Sequence, residues 1–418
     1  MTRVAAALPP SGHVLNICAD RYRFTVGFAA CLVSGKVSLL PSTHTPEVIR
    51  QLTEFARDVF CLTDDPNCDI ALPQVQFPDA PPAVPGDESS IPAIDAGQLA
   101  AYVFTSGSTG TPLPYRKTWG RLVRCVRDGA SRLGLLDGRQ HTLVGTVPAQ
   151  HMYGFESSVL LGLQTGGAIC GERPFFPADI CSVLDCAPRP RVLISTPLHL
   201  RALLAAGVSL PPTDLIVSAT APLARDLAYQ VEEKLGSPLL EIYGSTETGQ
   251  IATRRTAQTL EWQLWPGVTL TVKQGGQAWA QGGHVEQLTP MCDVLELTEG
   301  DRFLLHGRMA DLVNIAGKRS SLAYLNHQLN SVRGVIDGTF FLLDDSHASS
   351  TGVTRVAAFV VAPTLDATSL VEELRQRIDA VFLPRPLIFV DRLPRNDTGK
   401  LPQEALRALA AQHLKTAS

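Results

Sequence analysis

The sequence predicts an α/β protein, with a large N-terminal α/β domain followed by a small α+β domain. Three observations carry this. From residue 14 onward, apolar runs of strand length alternate with helical patterns. The runs are short and rich in β-branched residues or leucine, as strands covered by helices on both faces are. After about residue 300 the texture changes to a charged segment, GDRFLLHGRMAD, and then to a few elements with a modest core of their own. A chain of 418 residues has room for two or three domains of ~100–200 residues. We draw the boundary between 1–307 and 308–418.

The elements follow in order. Phe24 to Pro41 is the longest apolar stretch, but Gly35 and Lys36 interrupt it, so it reads as helix, turn and strand and not as a membrane span. Residues 73–97 are rich in proline and lack periodicity, which predicts a surface crossing. The run AYVF at 101–104 is strand-like. Over 117–134, Trp119, Leu122, Val123, Val126, Ala130 and Leu133 recur at helical spacing. Strands are expected at 142–148, 191–196, 214–220 and 238–243, and in the tail at 356–362, followed by helices over 370–382 and 403–414.

Composition excludes several classes. With 45% hydrophobic and 18% charged residues and a net charge of −4, the chain has no basic excess to attract nucleic acid or anionic lipid. The nine cysteines are odd in number, scattered and never spaced C-x-x-C, so neither a disulfide framework nor a zinc site is indicated. The N-terminal MTRVAAALPP lacks the long apolar region of a signal peptide, and a cytoplasmic location is expected.

The strand at 101–104 runs straight into TSGSTG. Gly107 and Gly110 permit positive φ and close backbone approach, while Thr105, Ser106, Ser108, Thr109 and Thr111 offer hydroxyl donors to phosphoryl oxygens. A Ser/Gly linker is the alternative reading of this segment alone. A Walker loop would need G-K-[ST] running into a helix, whereas Pro112 and Pro114 follow here.

Two more segments, EIYGSTETG at 241–249 and LPRNDTGK at 393–400, occur in matching order and spacing. Together with SATAPL at 218–223, GD at 300–301 and GR at 307–308, they resemble the adenylate-forming, AMP-binding superfamily of acyl- and aryl-CoA synthetases, nonribosomal peptide adenylation domains and luciferases. The match covers nearly the whole chain, and the trimmed build resembles small hydroxybenzoate-type ligases of aryl polyene and pigment clusters. The resemblance implies activation of a carboxylic acid with ATP and Mg²⁺ to an acyl-adenylate, then transfer to a thiol. It implies that residues 105–111 cover the β- and γ-phosphates and that Ser218, Ala219 and Thr220 line the adenine pocket. Tyr243, with Gly244 and Ser245 beside it, would stack on adenine, Thr246 would bond the α-phosphate, and Glu247 would hold the metal. Asp301 would accept the ribose hydroxyls, with Arg308 at the domain junction, and Lys400 on a mobile C-terminal lid would enter for adenylation.

The chain departs from the family pattern in three places. The superfamily loop usually ends P-K-G, but Leu113 stands where the lysine belongs; Lys117 or Arg116, on long flexible stems, is expected to supply the cation. At the junction Ala310 replaces the usual charged hinge. The stretch before Ala30 is shorter than in larger relatives, which implies a compact variant.

The segment PAQHMYG at 148–154 resembles the P-x-x-H-x-x-G of acyl- and aryl-CoA synthetases, placing His151 near the acid carboxylate and the thiol tunnel. Tyr153, Phe155, Ala219 and Gly249 are expected to line the acid pocket, and Gly317, in G-x-R with Arg319, the pantetheine tunnel. Either coenzyme A or the 4'-phosphopantetheine of an acyl carrier protein fits as acceptor. FESS at 155–158 faintly resembles the F-D-x-S of amino-acid-activating domains, so an amino-acid adenylating enzyme, or a non-catalytic nucleotide-binding relative, is the alternative.

Overall fold

The computed structural model describes the chain apart from residues 42, 79–90, 106–112, 274–275, 309–311, 316–317, 343–355, 397–398 and 415–418. It forms two compact units: Met1–Thr259 with Gln263–Thr269 and Gln281–Thr289, and Leu260–Trp262 with Leu270–Ala280 and Pro290–Ser418. The boundary expected at 308 falls inside the second unit. Among the described residues no helix is long and apolar enough to cross a membrane.

The first unit holds two sheets. In one, β1 (His13–Asn16), β2 (Val37–Leu40), β3 (Val59–Thr63), β4 (Gln74–Gln76), β5 (Leu99–Thr105) and β6 (Leu113–Thr118) lie in the order β4-β3-β1-β2-β5-β6. All neighbours are parallel except β5 and β6. The helix Arg21–Val33 connects β1 to β2, its first turn capped by Asp20, which accepts from the Arg23 amide.

The second sheet runs β8 (Ala168–Ile169), β7 (Thr142–Gly145), β9 (Arg191–Ser195), β10 (Leu215–Ser218), β11 (Leu239–Ser245) and β12 (Gly249–Arg254). Pairing is parallel up to β11, after which β12 turns back antiparallel and pairs with Gln263 and Leu264. The strands RVLIS and LIVS are buried along their whole length, because the helices Pro177–Cys186, Pro197–Ala205 and Arg225–Leu235 pack Ile180, Leu184, Leu200, Leu203, Val231 and Leu235 against them.

Three expectations need correction. The helix expected over 117–134 is shorter, Trp119–Arg132, because 113–118 is spent on β6, where Tyr115 pairs with Val103 and Lys117 with Ala101. As an edge strand β6 tolerates Pro114. The helix expected over 370–382 splits into Ala367–Arg375 and a 3₁₀ turn, Ala380–Phe382, each started by an aspartate, Asp366 and Asp379. The crossing at 73–97 contributes the short β4.

In the second unit, the hairpin Asp293–Leu297 and Arg302–Arg308 turns at Gly300, whose φ is +68°. Farther on, the strands Asp337–Leu342, Val356–Val361 and Leu387–Phe389 form a small sheet. Alternation splits its side chains: Phe340, Ala358 and Val360 pack with the helices Leu322–Asn330 and Ala367–Arg375, while Phe341, Ala357 and Phe359 pack with Gln403–Leu414.

Candidate functional site

The family-like segments of the first unit gather at the carboxyl ends of its parallel strands. Tyr243, Gly244 and Ser245 end β11, Thr246 and Glu247 form the turn, and Gly249 opens β12 at φ +76°. Gly244 is obligatory here, since a Cβ would run into the carbonyl of Gly249. The ladder slips between Tyr243 and Gly244, a bulge that re-aims the residues after it. Ser245 and Thr248 close the turn: their hydroxyls lie 3.1 Å apart, and the Thr248 amide donates to Ser245 Oγ at 3.2 Å.

Lys117 reaches this turn from β6. Its Nζ donates to the Thr246 carbonyl at 2.5 Å, and the side chain is only 3% exposed. Burial lowers its pKa, opposed by the carboxylates of Glu156 and Glu247 and reinforced by Arg121. The expectation of a cation swinging on a free stem is therefore corrected: strand pairing and burial hold the ammonium under the turn. Thr105 ends β5 opposite Leu113. Ser106, Gly107, Ser108, Thr109, Gly110 and Thr111 lie outside the described residues, as do Ala310 and Gly317.

Beside the turn, Ser218 ends β10 in register with Glu241 and is fully buried, with no partner for its hydroxyl among the described residues. Ala219 follows, and then Thr220 at φ +82°, the one described non-glycine residue with positive φ. Such backbone strain gathers where surroundings over-determine a site. Glu241 supplies much of that constraint. One of its oxygens accepts the Leu223 amide at 3.1 Å; the other accepts Arg254 Nε at 2.8 Å and Thr256 Oγ1 at 2.7 Å. The segment 218–223 is thereby tied at its far end to β11.

His151 precedes a short helix, Met152–Gly154, that runs into a π-helical turn, Phe155–Leu160. Gly154 packs so closely under the Pro148 carbonyl that no Cβ fits. Buried Arg21 straps the loop from below, donating to the carbonyls of Gly145 and Val147 at 2.9 and 2.7 Å and to Ser158 Oγ at 2.5 Å. Burial lowers its pKa to about 10. The Tyr153 hydroxyl donates to carbonyls of Ser195 and Val217, at 3.1 and 3.0 Å, joining β9 to β10. Phe155 faces the interior. Its ring is fully buried edge-on against Phe28, 4.9 Å away, because that face of the turn meets the helix Arg21–Val33.

The next residue, Glu156, enters a buried polar cluster that sequence reasoning missed. It accepts the Cys125 thiol at 3.4 Å, and burial raises its carboxyl to about 7 against the pull of Lys117. Gln250 donates to Ser157 Oγ at 2.8 Å. Burial likewise pushes His284 down to about 4, helped by Lys117 and Arg121.

In the second unit, Asp301 sits exposed on the hairpin turn, and Arg308 ends the strand with its backbone opposite Asp293. Lys400 is also exposed. Its amide donates to Asn396 Oδ1 at 2.9 Å, and its carbonyl accepts the Asn396 amide at 2.8 Å. Arg395 pins this turn by a bidentate pair to Asp337, at 2.7 and 2.8 Å, and a bond to the Gly399 carbonyl. Among the described residues no three His, Cys, Asp or Glu side chains gather as a metal cage. A lone carboxylate such as Glu247 suits Mg²⁺, which arrives with phosphates and takes one or two protein ligands.

Comparison with known proteins identifies the family. The sequence profile described as "AMP-binding enzyme" matches residues 4–276. The chain is 31% identical over 310 residues to a 4-coumarate–CoA ligase of Rhodobacter capsulatus, covering 72% of this chain and 75% of that one. It is 26% identical over 373 residues to a 4-chlorobenzoate–CoA ligase of an Arthrobacter species, covering 78% and 70%. Among solved structures, ATP-bound MatB from Rhodopseudomonas palustris superposes with a TM-score of 0.80 at 19% identity, covering 98% of this chain and 91% of that one. The o-succinylbenzoate CoA synthetase of Bacillus subtilis, in complex with its acyl-adenylate, superposes with a TM-score of 0.80 at 18% identity, covering 97% and 91%. Profile, relatives and fold agree, and the chain belongs to the AMP-binding enzyme family of adenylate-forming proteins.

Proposed function

We propose that the chain is an ATP-dependent ligase that converts an aryl carboxylic acid, of hydroxybenzoate or hydroxycinnamate type, to its adenylate with release of pyrophosphate. The acyl group then passes to a phosphopantetheine thiol, of coenzyme A or of an acyl carrier protein. One observation carries the reading. His151 after β7, Tyr153 bonded to the ends of β9 and β10, the segment 218–223 after β10 and the Tyr243–Glu247 turn after β11 all converge at the carboxyl edge of one parallel sheet, where α/β folds bind ligands. The relatives whose names specify 4-coumarate and 4-chlorobenzoate support an aryl acid.

In this reading Tyr243 stacks on adenine beside Ser218, Ala219 and Thr220, with Gly244 and Ser245 leaving room, and Thr246 bonds the α-phosphate. Glu247 holds Mg²⁺, which when bound offsets triphosphate charge. Residues 105–111 cover the outer phosphates, Asp301 takes the ribose, and Arg308 marks the start of a C-terminal lid, 308–418, that carries Lys400. His151, Gly249 and Gly317 belong to the acid and pantetheine path. The test is ATP–pyrophosphate exchange against hydroxybenzoates, cinnamates, fatty acids and amino acids, each repeated with coenzyme A and with a phosphopantetheinylated carrier. Exchange confined to amino acids, or absent with every acid, would overturn the reading.

A further inference from the structure

One guanidinium holds both ends of the loop that carries His151. Arg21 opens the helix Arg21–Val33 after β1 of the first sheet, and its own amide donates to the Gly171 carbonyl at 2.7 Å. From there the side chain crosses to the loop that follows β7 of the second sheet. Nη2 donates to the carbonyls of Gly145 and Val147, before His151, and Nη1 to Ser158 Oγ, after it. The Ser158 hydroxyl extends the constraint, donating to the Gly154 carbonyl at 2.5 Å. The fit is close: a Cβ added at Gly145 would lie 2.9 Å from the guanidinium carbon, and one at Gly154 2.0 Å from the Pro148 carbonyl oxygen. His151 lies inside this span and is half-buried, its amide donating to the Pro148 carbonyl at 3.3 Å and its carbonyl accepting the Phe155 amide at 2.8 Å.

The chemistry of the partners sets Arg21 apart from an ordinary packing residue. Its side chain is 1% exposed, yet its partners are all neutral, two carbonyls and a hydroxyl, with no carboxylate in ion-pair reach among the described residues. Burying an unpaired charge is costly, and an apolar residue would fill the same space without that cost. An apolar residue cannot donate in several directions from one rigid plane, as a guanidinium does. Such a fork suits a loop on which the position of one side chain matters, since misplacing a group at the reacting centre by about 1 Å lowers rates by about 100-fold. None of the described side-chain bonds of Arg21 touches the segment 218–223 or the turn at 243–249. We propose that Arg21 is a positioning residue for the acid side of the site, setting His151 through the loop 145–158 and leaving the nucleotide side alone. This rests on the reading of His151 given above and adds the residue that holds it in place.

The experiment titrates the protein with 4-hydroxybenzoate and with 4-hydroxycinnamate by calorimetry, in the presence of the unreactive α,β-methylene analogue of ATP, so that no turnover is needed. Arg21→Lys keeps the charge and loses the fork; it is expected to weaken acid binding about tenfold while binding of the ATP analogue stays within about twofold of the parent. Ser158→Ala removes one acceptor, is expected to weaken acid binding about threefold, and is the deciding variant if Arg21→Lys does not fold. In a His151→Ala protein neither change is expected to weaken acid binding further, because the group that Arg21 positions is gone. A purely structural role would instead lower the amount of folded protein and leave both binding constants where they were. Acid binding unmoved in the folded variants, equal weakening toward acid and ATP analogue, or effects that simply add to that of His151→Ala overturn the positioning role and leave the ligase reading standing. No pyrophosphate exchange by the intact protein with any acid overturns both.

Discussion

Glu241 anchors the end of the segment 218–223, which is proposed to line the adenine pocket, and itself contacts no proposed ligand. Its carboxylate is 96% buried and takes the Leu223 amide, two nitrogens of Arg254 at 2.8 and 2.7 Å, and the Thr256 hydroxyl. Removing one partner of a buried ion pair typically costs about 3–5 kcal/mol, because the other charge is stranded. In Glu241→Gln the amide oxygen still accepts one bond, recovering about 0.5–1.5 kcal/mol. The expected net loss is thus about 2–4 kcal/mol in urea denaturation. Arg254→Met combined with Glu241→Gln should be less destabilised than the sum of the single changes, since no unpaired guanidinium remains. Weakening the Leu223 anchor should also raise KM for ATP in pyrophosphate exchange about tenfold, the value of one bond of about 1.4 kcal/mol. A Glu241→Gln protein within about 0.5 kcal/mol of the parent, or strict additivity in the double variant, would refute the argument.

Further outcomes are expected at three sites. Lys117→Met strands the Thr246 carbonyl, a cost of about 1–3 kcal/mol partly offset by relief of the buried ammonium, so exchange should fall at least about tenfold while folding stability changes little. Lys117→Arg should not rescue it, because a planar fork replaces a compact ammonium; unchanged kcat and KM for ATP in Lys117→Met would disprove the anchoring role. Glu156 and His284 should give opposing pH dependences. The folded carboxyl near 7 binds its proton more tightly than the unfolded one near 4.5, so this contribution to stability is lost as pH rises between them. The folded imidazole near 4 against 6.5 unfolded makes the second contribution disappear as pH falls through that range. His284→Phe should therefore be more stable at pH 5 than at pH 7.5, and Glu156→Gln the reverse; identical profiles in both would contradict the assignment. Lys400→Ala should lose pyrophosphate exchange, on the order of 3–4 kcal/mol in the barrier, yet still turn over a supplied acyl-adenylate. Equal loss of both half-reactions would remove Lys400 from its role.

The parallel strands were legible because continuous runs such as RVLIS and LIVS suit a sheet covered on both faces, and the helix from Trp119 because its apolar residues repeat at helical spacing. The glycine at 154 and the turn at 243–249 were legible as family-like motifs, and their steric necessity became visible only in the packing. β6 was missed because it is an edge strand with two exposed residues at its start, and nothing local marks a polar stretch as the antiparallel partner of β5.

The sequence alone determined the fold class, the central parallel strands and the chemistry-bearing segments, since local periodicity, glycine placement and short motifs depend on neighbours a few residues apart. Only the tertiary structure decided which charges are buried and what they hold. Lys117 meets a carbonyl 129 residues away, Arg21 a hydroxyl 137 away, and Cys125 a carboxylate 31 away. Burial and strand pairing across such separations set the energy of an ionisable group, and no local pattern encodes them.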